Sequence, residues 1–351
     1  MAPSRRSLLR TVGFSLTGGA LASLSGCVGD SPAAGTGGTT DDPTTTATSS
    51  ESTDASDESK PSGDLPKLAE WLPSPANTPF YDGYGVEYYD IAAIESRKDA
   101  LHENAYERLT TEAARSSNTR KLFPDYDLAP LDAVLDFGRH AEVAFGSFDT
   151  DALQDQLSGV RGTYDDGEEH TGTHLDRYRG FDLYDIGAVL AVSEDAIVTP
   201  GWLPEEARPY VEAILDAKAG EIDRYADTND YVSAMLGLVD DPHALTCYPE
   251  AMGGNSTRGF RADEITGGLK SWRFGAETTH LTYANTYPDA ESATAEKLQG
   301  YIDSESDRFG SFDGLDAQQN GGTVWATGTT PTGEFDHLSP GGPGDGVHTS
   351  N

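Results

Sequence analysis

Residues 84–109 read YGVEYYD-IAAIESRKDALHENAYERL, and the change of period inside this stretch decides the fold class. Tyr84 to Asp90 is aromatic-rich, with Tyr84, Val86 and Tyr88 at every second position, the two-residue repeat of a half-buried strand. From Ile91 the apolar residues Ile91, Ile94, Leu101, Ala105 and Leu109 fall on one helical face instead, and Asp90 stands at the junction as a cap. A strand therefore hands directly to an amphipathic helix.

Two further segments follow this plan. AEVAFGSF (141–148) leads through Asp149 or Thr150 into TDALQDQL (150–157). HLTYANTY (280–287) leads past Pro288, near an expected helix start, into DAESATAEKLQGYID (289–303), and the unit ends with the alternating strand TVWATGTT (323–330). Between the second and third units come short strands with tight connections: VRGTYDD (160–166), YRGFDLYD (178–185), GAVLAVS (187–193) and AIVTP (196–200). Such spacing predicts an antiparallel meander. A helix is expected from RPYVEAILDAKAGEIDRYA (208–226), with Pro209 in its first turn, and a shorter one from DYVSAMLGLV (230–239). The fold class is α+β: mixed, largely antiparallel sheets packed with helices, arranged by the repeated plan as two ferredoxin-like lobes. Strands here do not alternate regularly with long helices, which argues against a doubly wound parallel sheet.

Domain organisation follows from composition. Residues 28–63 are rich in Ser, Thr, Asp and Gly and hold almost nothing able to enter a core, so they read as a disordered tether. Residues 64–338 are the α+β globular region, with a sub-boundary expected near 250–265, and 339–351 read as a disordered tail.

The first 27 residues have a layout of their own. SRRSLLR (4–10) puts Arg5, Arg6 and Arg10 before a moderately apolar run from Thr11 to Ser25, and LSGC (24–27) closes the segment at Cys27. The run is shorter than the roughly 20 apolar residues a spanning helix needs, and Gly, Ser and Thr dilute it. SRRSLLR resembles the twin-arginine signal pattern, and LSGC resembles a lipobox. The resemblance implies a twin-arginine signal peptide and lipobox over residues 1–27, with the export machinery as partner for Arg5 and Arg6. It further implies lipid attachment at Cys27, which holds the mature protein on the outer face of the cell membrane.

Lys+Arg number 24 against 59 Asp+Glu, a formal net charge of −35, with 17 arginines and 7 lysines. In dilute buffer this charge repels itself, whereas in molar salt the Debye length falls to roughly 3 Å and screens it. Acidic, lysine-poor, twin-arginine-exported lipoproteins resemble those of halophilic archaea. The charge argues against nucleic acid and against adsorption to anionic lipid, both of which need cationic patches.

Chemical motifs are sparse. There is no G-x-S-x-G elbow, phosphate loop, H-E-x-x-H or C-x-x-C. Cys247, the cysteine left after Cys27, lies in an apolar run and reads as a small buried hydrophobe. No cofactor is evident; a divalent metal is the one candidate, in DDGEEHTGTHLDRY (165–178). There Glu168, His170, His174 and Asp176 share a side if the stretch is extended, and imidazole with carboxylate suits Zn²⁺. Gly167 and Gly172 make the same stretch read as a solvated connection. DSESDRFGSFDG (303–314) alternates carboxylates like a calcium loop but lacks its glycine and terminal glutamate. His102 and Glu103 lie on a helix that presents them to water. Asn255, in GGNSTRG (253–259), is an acceptor for N-glycosylation in an exported chain. Trp71, Trp202, Trp272 and Trp325 either fill a core or line a sugar groove. Taken together, the residues read as a lipid-anchored extracytoplasmic binding or interaction module. The alternatives are a metal-dependent extracytoplasmic enzyme and an envelope assembly or spacer protein.

Overall fold

The computed structural model describes residues 64–78, 83–116, 119, 131–137, 140–163, 169–200, 207–249, 265–304 and 309–335. Arg5, Arg6, Cys27, the tether, Glu168, Asn255, Trp202 and the tail lie outside these residues.

The chain enters through a 3-10 turn, Lys67–Trp71, and reaches β1 (Val86–Asp90). There follow α1 (Ile91–Ser96), α2 (Glu103–Ser116), β2 (Leu131–Asp136), β3 (Ala141–Gly146) and α3 (Thr150–Leu157). β4 (Val160–Thr163), β5 (Glu169–Thr171), β6 (Thr173–Tyr178), β7 (Phe181–Asp185), β8 (Val189–Val192) and β9 (Ala196–Pro200) come next. Helices α4 (Ala207–Ala219), α5 (Tyr225–Thr228) and α6 (Asp230–Leu236) lead to β10 (Ala244–Tyr248), β11 (Gly267–Phe274) and β12 (Thr278–Thr286). α7 (Ala295–Ser304), β13 (Gln318–Asn320) and β14 (Thr323–Pro331) complete the fold.

Twelve strands form one antiparallel sheet in the order β13-β14-β12-β11-β10-β1-β2-β3-β9-β8-β7-β6, while β4 and β5 pair separately. From the central β1–β10 pair the two halves run outward by one path. Each has a first strand, then a hairpin, then a helix on an aspartate-capped turn, then strands returning beside the hairpin's outer member. Asp149 accepts from Ala152 N–H at 3.0 Å ahead of α3, and Asp289 accepts from Ser292 N–H at 2.7 Å after β12. The two halves share a single sheet. β10 and β11, on either side of the expected sub-boundary, are paired neighbours.

Side chains alternate between the faces of a strand, so each strand feeds two cores. On the first face Val86, Leu135, Val143, Val198, Leu245 and Leu269 pack under Trp71 and under α4, α5 and α6, through Ile214, Tyr225 and Met235. The second face carries two clusters: Leu153 and Leu157 of α3 over Val134, Ala144 and Ile197, and α2 and α7, through Leu109 and Leu298, over Trp272, Leu281 and Tyr283. Ile91 packs against both.

Three expectations are corrected here. The helix expected over 91–109 is two helices, because after α1 the chain tightens into a turn in which Ala100 and Leu101 N–H both bond to the Arg97 carbonyl. Ile94, Leu101, Ala105 and Leu109 still share a core. Pro288 does not start α7, which begins at Ala295. The stretch read as a loose connection around Gly172 is strand on both sides. Gly172 N–H bonds to Leu157 O at 2.6 Å, and a Cβ at Gly172 would lie 2.3 Å from that oxygen.

Candidate binding site

The second face is polar along one row. Its apolar rows are typified by Leu281–Trp272–Ala244–Tyr89–Val134–Ala144–Ile197, seven side chains in register on β12, β11, β10, β1, β2, β3 and β9. One step toward the rim where β1 begins, the same seven strands present Tyr283–Lys270–Thr246–Glu87–Asp136–Glu142–Thr199. At strand spacings of about 4.8 Å this polar row spans roughly 29 Å. β9 ends at Pro200 and β10 at Tyr248 on this rim.

Burial varies along the row. Glu87, Asp136 and Thr246 in the middle are half-buried, whereas Glu142 and Thr199 at one end and Lys270 and Tyr283 at the other are buried. Glu87 is held by two phenols: Tyr248 O–H donates to Oε1 at 2.7 Å and Tyr89 O–H to Oε2 at 3.4 Å. Burial, and then the Glu87 charge, push the Tyr89 hydroxyl well above its ordinary pKa, so it stays a donor. The Tyr248 ring takes its place because Gly85 has no side chain; a Cβ there would meet the ring at 2.2 Å. At the far end Glu142 Oε1 accepts from Thr119 N–H at 3.2 Å.

Three buried polar groups around the row find no hydrogen-bond partner among the described residues: the hydroxyls of Thr119 and Thr199, and both ends of the Asn285 amide, which lies beside Tyr283 on β12. All three residues are fully buried. Buried polar atoms are nearly always bonded, so each is a place where a further donor or acceptor fits.

Of the residues expected to hold a metal, the described side chains His174 and Asp176 have different partners. His174 Nε2 lies 3.2 Å from Asp182 Oδ1 across the β6–β7 hairpin, with its ring edge-on to Tyr184. Asp176 instead accepts from Arg208 at 3.0 Å, which also reaches Glu212 at 2.7 Å. A register irregularity between His174 and Arg177 breaks the alternation that was to align them. His170 lies in β5, its side chain outside the described set. Among the described residues no group of three or more His, Cys, Asp or Glu is placed to hold a metal ion.

The other candidates are structural. Trp71, Trp272 and Trp325 are buried. Trp71 meets Phe145 and Phe181 edge to face, beneath Lys218. Burial pushes the Cys247 thiol up to about 12, so it stays protonated and inert. His102 Nδ1 accepts from Asn104 N–H at the start of α2. A shallow groove of about 620 Å³ is lined by Ser147, Asp149, Asp151 and Glu194, with Asp149 already engaged as a helix cap. No described helix is long and apolar enough to cross a membrane.

The signal that pointed to the row was present in the sequence but unread. Glu87 in VEYYD, Glu142 in AEVAFG and Lys270 in GGLKSWRF are charges two residues from, and so on the same face as, the buried Tyr89, Ala144 and Trp272.

No protein-family profile matches the chain, and no curated protein matches it. Among solved structures, crystal forms I, III and IV of TP0453 align with TM-scores of 0.39–0.40 at 8–10% identity, over 78% of this chain and 96% of that one.

Proposed function

We propose that the chain is a lipid-anchored extracytoplasmic binding module of a halophilic cell, whose ligand lies along the polar row. The carrying observation is that row: seven polar side chains in register beside an apolar row of the same face, with the Thr119, Thr199 and Asn285 groups buried next to it and without a partner among the described residues. Each such group costs about 1–3 kcal/mol unbonded, so a ligand rich in hydroxyl, amide or amine groups gains by supplying the missing bonds. Glu87, Asp136, Thr246 and Tyr248 form the reachable middle of the row. The location rests on Arg5, Arg6 and Cys27, and the charge of −35 suits molar salt.

The test is thermal unfolding in molar salt with panels of sugars, amino acids and short peptides. A ligand that binds only the folded state raises the midpoint by mass action, by the equivalent of about 2.7 kcal/mol at a hundred times its Kd. A shift with one class of polar ligand is expected, and no shift with any of them contradicts the reading. Cys27→Ser should release the protein into the medium; retention with the cells in high salt contradicts the anchor.

A further inference from the structure

At the rim opposite the polar row, one imidazole does work that elsewhere in the sheet is done by backbone. His243 immediately precedes β10. Its N–H donates to Trp272 O at 2.9 Å, and its carbonyl accepts from Asp90 N–H at 2.8 Å. Its Nδ1 accepts from Phe274 N–H at 3.0 Å. One residue thereby ties the end of β1 to the end of β11, across the β1–β10 pair where the two halves of the sheet meet. Phe274 is buried, and its ring lies 6.0 Å from His243 and 5.8 Å from Phe335.

A ring nitrogen that accepts a hydrogen bond carries no proton, whereas imidazolium carries one on both nitrogens. On protonation, Nδ1–H and Phe274 N–H would face each other donor to donor. We propose that His243 is an acid-sensitive latch: when neutral it fastens the end of β11 to β1, and when protonated it releases Phe274 N–H and loosens the junction between the halves.

The surroundings set the direction. Burial is the largest influence and lowers the His243 pKa; Asp90 at the end of β1 and Asp241 in the preceding turn raise it, and Arg97 after α1 and Arg273 on β11 lower it. A folded pKa below the unfolded value of about 6.5 means the latch contributes stability above that pH. The contribution is lost as pH falls through the unfolded value toward the folded one. Asp90 belongs to the same junction. It caps α1 by accepting from Ala93 N–H at 2.7 Å, and burial holds its carboxyl above the usual carboxylate range.

The experiment is amide hydrogen exchange at Phe274 in the full chain in molar salt, at pH 7.5 and pH 5, corrected for the intrinsic pH dependence of exchange. In wild type, protection of Phe274 should fall severalfold between the two, because the folded state loses the bond as His243 is protonated. His243→Asn, whose Oδ1 accepts the same bond without titrating, should hold protection constant. Unchanged protection in wild type, or an equal loss in His243→Asn, overturns the proposal. Should the variant not fold, NMR titration of wild type decides the matter: the Phe274 amide must shift together with the His243 ring, and a ring that titrates without moving that amide overturns the latch.

Discussion

Two neighbouring rows of the second sheet face share seven strands, one register and one antiparallel frame, yet one is built of Leu281, Trp272, Ala244, Tyr89, Val134, Ala144 and Ile197 and the other of Tyr283, Lys270, Thr246, Glu87, Asp136, Glu142 and Thr199. The first lies beneath helices α2, α3 and α7 and is held together by area removed from water. The second lies one step nearer the rim and carries charge and hydroxyl groups, buried at its two ends and half-buried at Glu87, Asp136 and Thr246 in the middle. Backbone pairing is indifferent to which row it carries; the side chains decide whether a stretch of sheet is core or surface for a ligand. Stability should therefore reside in the first row and recognition in the second.

The largest expected effect is in the apolar row. Trp272→Ala removes a buried ring between Lys270 and Phe274 and should cost about 3–5 kcal/mol in a denaturant titration. A loss under about 1 kcal/mol would show that the row contributes little. Val134→Thr tests polarity rather than volume: a hydroxyl placed among Tyr89 and Ala144 without a partner should cost about 1–3 kcal/mol. In the polar row the sign should reverse. Thr199→Val removes a hydroxyl that has no partner among the described residues, so the unliganded protein should be unchanged or up to about 1 kcal/mol more stable. A clear loss would mean that the hydroxyl is already satisfied. Smallest is Glu87→Gln, whose amide oxygen can still accept from Tyr248 O–H while its NH₂ replaces the acceptor of the longer Tyr89 contact at 3.4 Å; unliganded stability should change by under about 1 kcal/mol.

Local chemistry was readable from the chain; what depended on register was not. The strand at Val86–Asp90, its Asp90 cap, the meander strands β7 to β9 and the Asp149 turn into α3 all rest on residues adjacent in sequence, whereas β4, expected in that meander, pairs with β5 in a separate sheet. The break between α1 and α2 escaped because the turn at Arg97 contains neither Gly nor Pro, and Leu101 keeps the helical spacing of core residues across it. Gly172 looked like a loop residue, but its reason is the close approach of the Leu157 carbonyl, a contact between distant elements. The polar row was the least legible feature. Its members lie on seven strands spread from Glu87 to Tyr283 and become neighbours only when every register is known. His174 and Asp176 show the converse: they are close in sequence, but the irregular β6–β7 register gives them different partners.

The most direct measurement compares two variant pairs in molar salt, using the ligand that gives the largest thermal shift with wild type. Glu87→Gln with Thr246→Val alters the middle of the polar row, and His174→Ala with Asp176→Ala alters the β6–β7 hairpin. The account predicts that the shift is lost in the first pair and kept in the second. A shift that survives the row variants and disappears with the hairpin variants would contradict it.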